Sequence, residues 1–525
     1  MSSSETEETR GRVVRSASAI TPLTLLSRVT GYLREKIVAL FFGASAQTDA
    51  FIVAWRIPNM LRDIVGEGAM SSAFIPVYAE IREKRSDEEA RAFVGRTVGT
   101  FAFLLSAITV AGILLSPVLV DLLAHDFRAN PWQFALAVSL NRWIFPYIFL
   151  VSLSALFQGI LNAHHRFAIS AAAPIFMNIG FILATLLLAP RLAEPVYALA
   201  IGVLTGGVLQ MVVQWPQLAR LKAVGRPALG WRDPAVRSVL LLAAPRLFAY
   251  GINTINLTFA TRFATALGTS NVSRLYFANR LKELVLGGFA VALATAILPV
   301  LARQALAEDR SEFKATLAFS LRLIAFVTIP ATVGLIVLRF PILRVLLQGG
   351  AFHAADTRAT ADVLATLSLG LFFFAVVRVV VPAFYALKET RLPVAAAFAD
   401  CVFFVAGCFL LTPVLALPGI GLSASLAAGV NVVILLIALR RREGKLSGRA
   451  ILRSLLRSAL AALLMGIGLW LALHAVDFAH MRMVRAILTL FGLIAGGTAV
   501  YWSAAYLLGA PEPEELRRVI RRKRT

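Results

Sequence analysis

Apolar stretches long enough to cross a bilayer recur from about residue 18 to about residue 509. A hydrocarbon core of about 30 Å needs roughly 20 mostly apolar residues per crossing. Lipid offers no hydrogen bonds, so each such run has to satisfy its own backbone as a helix. Fourteen spans are expected, at about 18–42, 48–80, 92–124, 134–161, 167–189, 193–219, 238–267, 275–302, 315–346, 359–387, 392–411, 421–439, 454–474 and 486–509. Composition agrees: 58% of the 525 residues are hydrophobic, 15% are charged, and the mean hydropathy is +0.77. The expected fold is an all-α polytopic membrane protein.

The net charge of +23 raises nucleic acid as a partner, but its distribution argues against one. Lys and Arg gather on every second loop and on both tails. Only Arg128, Arg191, Arg274, Arg358, Arg482 and Arg485 fall on the intervening loops. This positive-inside pattern places both termini in the cytoplasm. The first tail, 1–17, reads as short, polar and disordered. It does not read as a cleavable signal peptide, because a long span and then more spans follow it. The last tail, 511–525, ends in "RRVIRRKRT". It suits anionic headgroups or simple retention on the cytoplasmic side. The longest inner loops, "REKRSDEEARAF" and "ARLKAVGRPALGWRDPAVR", are too short to fold alone. Any chemistry therefore belongs inside the bundle.

The chain also repeats itself faintly. "AWRIPNML" at 54–61 resembles "ANRLKELV" at 278–285, "FIPVYAE" at 74–80 resembles "ILPVLAR" at 297–303, and "HRFAISAAA" at 165–173 resembles "TRLPVAAAF" at 390–398. The three offsets lie between 223 and 225. Two parallel six-helix lobes follow, 18–220 and 221–441, since an even number of spans per half keeps the halves parallel. Spans 13 and 14, within 442–510, fall outside the repeat. They are expected to form a groove for a lipid tail.

Charges inside the spans mark function by default, because each costs about 2.5–3.5 kcal/mol near the bilayer centre. Span 1 carries Arg28, Arg34, Glu35 and Lys36, and span 2 carries Asp49, Arg56, Arg62, Asp63 and Glu67. Span 8 carries Arg280, Lys282 and Glu283, and span 10 carries Arg378. On an unbroken helix Asp49, Arg56, Asp63 and Glu67 share a stripe within about 40°. Pro58 is expected to kink or break that helix. Glu35 and Asp63 have neighbouring cations with which to lock helices together. Arg34 and Lys36 have the further option of snorkelling to the interface. The arginines outnumber the internal acids, however, and a surplus in a cavity calls for an anion. A guanidinium fork matches phosphate, so a diphosphate-bearing lipid headgroup fits.

Other chemistries lack residues. Cys401 and Cys408 fall seven apart on one expected helix, roughly 10 Å along its axis, too far for a disulfide. The six histidines show no metal spacing. There is no P-loop for a nucleotide, and no grouped carboxylates of the kind a metal-dependent transferase needs.

At these residues the sequence resembles the lipid II flippases of the MurJ (MviN) family, within the multidrug/oligosaccharidyl-lipid/polysaccharide exporter superfamily. The resemblance runs through "SRVTGYLREKIVALFFGASAQTDAFIVAWRIPNMLRDIVGEGAMSSAFIPVYAE", "PYIFLVSLSALFQGILNAHHRF", "GGVLQMVVQWPQL", "RLYFANRLKEL" and "VVVPAFYALKETRLPV". It implies fourteen helices in two lobes that alternate access, carrying lipid II from the inner to the outer leaflet of the bacterial cytoplasmic membrane. It implies that Arg28, Arg34, Arg62 and Arg280 bind substrate, and that Asp49 and Glu67 are cavity acids. Arg56, Glu283 and Arg378 are read with them as gating or cavity charges. Many members have Lys where this chain has Arg56 and Arg378, and "ADR" where it reads "ANR" at Asn279.

The expected function is thus transport rather than catalysis, with no cofactor or metal and with coupling to the membrane potential or an ion gradient. Lipid II or a related polyprenyl-diphosphate lipid is the expected partner, alongside membrane lipids and cell-wall synthesis proteins. The alternatives are a flippase for another polyprenyl-diphosphate-linked glycan, a multidrug exporter of the superfamily, and a scaffold for cell-wall enzymes.

Overall fold

The computed structural model describes residues 3–62, 71–444, 446–478 and 480–515, with side chains described from Pro22 onward except at 61, 71–72 and 243–254. The described residues are helical, apart from loops and one isolated bridge between Gly349 and Phe352. They divide into two compact units, Met1–Ser273 and Arg274–Thr525.

The first unit holds α1 (Ser3–Phe42), α2 (Ala46–Arg62), α3 (Ser71–Lys84), α4 (Asp87–Leu123), α5 (Pro131–Ile144), α6 (Tyr147–Ala163), α7 (Phe167–Leu188), α8 (Tyr197–Val212), α9 (Trp215–Arg220) and α10 (Pro234–Ala266). It ends in the first turn of α11 (Asn271–Gln304). The second unit continues α11 and adds α12 (Ser311–Val337), α13 (Arg339–Leu346), α14 (Ala354–Leu369), α15 (Leu371–Ala386), α16 (Arg391–Leu415), α17 (Leu417–Glu443), α18 (Gly448–His474) and α19 (Met483–Leu507).

Local chemistry sets many of the boundaries. Ser86 caps α4 by accepting from the Glu89 amide at 3.2 Å, and three acids occupy the first turn, where the helix dipole favours them. Asn130 caps α5 and Asp233 caps α10, each followed by Pro at the first helical position. α14 and α15 meet at a 44° bend over Gly370. A Cβ at Gly370 would run into Ser425 of α17, so the bare backbone there permits the close approach.

Among the described residues, ten helices or joined helix pairs are long and apolar enough to span a membrane, and eleven if the bent α14–α15 pair is one span. That is fewer than the fourteen expected. The stretch at 18–42 lies on α1, and residues 48–62 and 71–80 lie on α2 and α3. α1 and α2 carry intramembrane charges, and α2 and α3, at 17 and 14 residues, are shorter than the roughly 20 residues of a crossing. The expected span 2 appears as two helices, α2 and α3, among the described residues. The segment expected to be a disordered tail is helical from Ser3 onward. It has no proline before Pro22 and a single glycine, Gly11, so nothing in its backbone chemistry stops a helix.

The repeat is visible in the helix starts. α4 and α12 begin at 87 and 311, α5 and α14 at 131 and 354, α6 and α15 at 147 and 371, α7 and α16 at 167 and 391. By offset α10 is the counterpart of α1. α1 packs on α7, whereas α10 packs on α3 and α4 inside the first unit. The linker before α10 shows how it is brought there. Ala228 N donates to the Gly95 carbonyl (3.2 Å), Gly230 N to Thr100 Oγ1 (2.8 Å), and Arg96 pairs with Asp233 (2.9 Å). Gly95 and Gly99 lack the side chains that would push this strap off α4.

Helix association in lipid rests on close packing of small residues more than on hydrophobic transfer. Gly180 of α7 lies against Gly206 of α8, and Gly407 of α16 against Ser423 of α17. The second unit adds an apolar core from α12, α15 and α17, including Leu321, Ile324, Val379, Phe384 and Leu435.

Candidate functional site

Arg34, one of the expected substrate-binding arginines, is well enclosed, with a side chain 11% exposed. It leaves α1 in the direction of α7 and α2. Its Nη2 donates to Glu35 Oε1 at 2.6 Å and its Nη1 to Asn178 Oδ1 at 3.1 Å. The guanidinium plane stands 5.1 Å from the Trp55 ring and 5.6 Å from the Phe181 ring, which stack on each other. Desolvated cation–π contacts of this kind contribute about 2 kcal/mol. Asn178 completes the seat: its amide donates to the Ser27 carbonyl (3.3 Å) and to Thr30 Oγ1 (3.2 Å). Arg34 is therefore a positioned, partly neutralised cation, and neither a snorkelling side chain nor a bare one. Arg28, six residues earlier on α1, is half-buried.

Asp49 lies in the first turn of α2 and is fully buried. Its Oδ1 accepts from the backbone N–H of Ser273 at 2.7 Å, so it caps the start of α11 from another helix. Arg56, two turns along α2, donates from Nη1 to the Leu257 carbonyl of α10 at 3.1 Å. Arg62 is the last residue of α2 and is half-buried. Asp63 and Glu67 lie outside the described residues, so the stripe drawn through them is described only at Asp49 and Arg56.

In the second unit, α11 carries Arg280, Lys282 and Glu283 within one turn. Arg280 is exposed, and its guanidinium stands 4.9 Å from the Tyr276 ring. Glu283 accepts from Arg378 Nη2 of α15 at 2.8 Å. Lys282 is 8% exposed, with its ammonium 4.3 Å from the Phe374 ring. Of the expected site residues, the structure pairs Arg34 with Glu35 in the first unit and Arg378 with Glu283 in the second, where Arg280 and Lys282 share a turn of α11 with Glu283.

Four contributors were not assigned a role from the sequence. Asn178 and Trp55 seat Arg34, and the signal for Asn178 is a lone amide in the apolar run of α7. Lys282, which the sequence marks only as a charge, is buried against Phe374. Asp356 of α14 pairs with Arg274 at 2.9 Å, and both residues come from loops in the sequence reading. Among the described residues no group of His, Cys, Asp and Glu is arranged to hold a metal ion.

Comparison with known proteins decides the family. A family model described as Lipid II flippase MurJ matches residues 38–489. The chain belongs to the MurJ family. A Burkholderia cenocepacia protein named lipid II flippase MurJ is 34% identical over 508 residues, covering 94% of this chain and 97% of its own length. A Vibrio cholerae protein named probable lipid II flippase MurJ is 33% identical, covering 95% and 96%. A solved structure of lipid II flippase MurJ in an inward closed conformation aligns with a TM-score of 0.76 at 25% identity, over 93% of this chain and 98% of that one. An inward-facing multidrug resistance transporter of the MATE family and MOP superfamily shares the fold, with a TM-score of 0.66 at 13% identity. MurJ proteins are carriers rather than enzymes, so this bundle is a multi-pass membrane transporter.

Three positions singled out in the sequence, Arg378, Arg56 and Asn279, can be placed. Arg378 uses one arm of its fork on Glu283, and Arg56 sends Nη1 to a backbone carbonyl. Asn279 is half-buried beside Arg280 and brings no carboxylate to it.

Proposed function

We propose that this chain carries lipid II, the undecaprenyl-diphosphate-linked peptidoglycan precursor, from the inner to the outer leaflet of the cytoplasmic membrane. MurJ membership supports the substrate class. The observation that carries the reading is Arg280, an exposed guanidinium on a helix otherwise apolar enough to span the bilayer. Such a charge does not face hydrocarbon; it faces a wet cavity or an anion. Arg34, Arg62 and Arg280 hold the diphosphate and Arg28 assists. Charge-assisted forks in a low dielectric supply the affinity.

The two repeat lobes, 18–220 and 221–441, rock about this cargo while residues 442–510 guide the polyprenyl tail. Asp49, Arg56, Glu67, Glu283 and Arg378 exchange partners as access alternates. The membrane potential, worth about 2.3 kcal/mol per charge per 100 mV, or an ion gradient resets the carrier. Both termini lie in the cytoplasm, and cell-wall synthesis proteins consume the product. The test is flipping of lipid II in vesicles reconstituted with the full chain. Arg280→Ala and Arg34→Ala should each lower the rate at least about tenfold, the scale of one lost charge-assisted contact. Unchanged flipping by well-inserted variants would remove both residues from the site.

A second reading keeps the same cations and changes the glycan, since the diphosphate is common to all polyprenyl-diphosphate carriers. Competition between lipid II and another lipid-linked sugar separates the two. The arginine surplus argues against export of cationic drugs, although the fold is shared with drug exporters.

A further inference from the structure

The hairpin between α18 and α19 breaks the charge pattern of the chain. Of the six cations on its side of the positive-inside pattern, two, Arg482 and Arg485, stand here. The hairpin borders an open cavity of about 380 Å³ lined by Asp477, His480, Met481, Arg485 and Thr489 among others. Its one acid is engaged: Asp477 Oδ2 lies 2.8 Å from His480 Nδ1. Arg485 has no ion pair among the described residues, and a further arginine stands behind the wall. Arg344 of α13, 8% exposed, donates from Nη2 to the Met481 carbonyl at 2.7 Å and lies 5.7 Å from the Phe478 ring. Its Nη1 is buried and has no hydrogen-bond partner. An unsatisfied buried donor costs about 1–3 kcal/mol, so this hairpin holds cationic hydrogen-bonding capacity that its own residues do not use.

The surroundings indicate what uses it. Trp470 and Leu471 at the end of α18, and Val484 and Leu488 at the start of α19, are each more than half exposed. An apolar surface thus runs up to the rim of the cavity, as a molecule with an anionic head and hydrocarbon chains requires. None of the substrate-binding residues expected from the sequence lines the cavity.

We propose that this cavity seats the phosphodiester headgroup of an anionic membrane lipid. Arg485 contacts the phosphate and Arg344 holds the wall positive, while the acyl chains lie along Trp470, Leu471, Val484 and Leu488. The site lies at the hairpin end of the 442–510 segment, and none of the arginines expected to hold the cargo's diphosphate lines it.

The test uses the full chain, purified and stripped of lipid, then titrated with phosphatidylglycerol, phosphatidylcholine or inorganic phosphate and read by native mass spectrometry. Phosphatidylglycerol should be retained about tenfold over phosphatidylcholine, and Arg485→Gln should lower that preference by a similar factor, the scale of one charge-assisted contact. Asp477→Asn removes the acid and keeps every cation, so retention of phosphatidylglycerol should rise severalfold, a gain that a damaged fold does not mimic. Equal retention of the two lipids, no loss in Arg485→Gln, or no gain in Asp477→Asn overturns the proposal. So does inorganic phosphate binding as tightly as phosphatidylglycerol, which would make the site one for free phosphate.

Discussion

At the scale of single residues, the membrane-embedded charges are held in place by specific chemistry. Arg34 is seated by two aromatic faces, an amide and a carboxylate, and only a planar guanidinium satisfies all four. Arg34→Lys should therefore flip lipid II nearly as poorly as Arg34→Ala, whereas a lysine that merely supplied charge would restore the rate. The Glu283–Arg378 pair is different, because both side chains are well exposed, at 45% and 34%. A double-mutant cycle on stability should give a coupling of only about 0.2–1 kcal/mol; a value of several kcal/mol would show a desolvated pair. Outside the spans, His164 sits with Nε2 2.7 Å from the Tyr78 hydroxyl. Burial, and then the charge of Arg82, push its imidazole below the ordinary 6.5. The unfolded chain therefore binds the proton more readily, and stability falls as pH drops below about 6.5. Thermal unfolding at pH 5 and pH 7.5 should differ by less in His164→Gln than in the parent.

At the scale of elements, the tightest requirements are at glycines where backbones touch. A Cβ on Gly180 would stand 2.9 Å from the Gly206 backbone. Gly180→Ala should force α7 and α8 apart at a cost of about 1–3 kcal/mol, read as a loss of thermal stability. Because α7 also presents Asn178 to Arg34, the variant should lose flipping as well. These contacts were not legible in the sequence, where each glycine is one among 35. Helix existence was legible, because runs of about 20 apolar residues allow little else. The repeat was legible too, through three weak matches whose offset returns in the helix starts. The packing of α10 on α3 and α4 was not, since it depends on where the 221–233 linker finds hydrogen bonds along α4. Polar composition alone does not reveal that the segment from Ser3 to Ala17 is helical, because its backbone holds no proline to stop a helix.

At the scale of the molecule, the sequence reached the function because charge inside a membrane is expensive and therefore informative. It singles out Arg34, Arg280, Glu283 and Arg378 as embedded charges and offers Glu35 a neighbouring cation, but it does not reveal that Asn178 and Trp55 seat Arg34 or that Asp49 caps α11. Those are relations between helices, set by tertiary packing. The central claim is that the embedded arginines exist to move a diphosphate lipid across the bilayer. The most direct measurement is lipid II topology in bacterial cells depleted of their own flippase and supplied with this chain. The parent chain should restore lipid II to the outer face, and Arg280→Ala, inserted at equal level, should leave it inside. Restoration by Arg280→Ala equal to that of the parent would contradict the account.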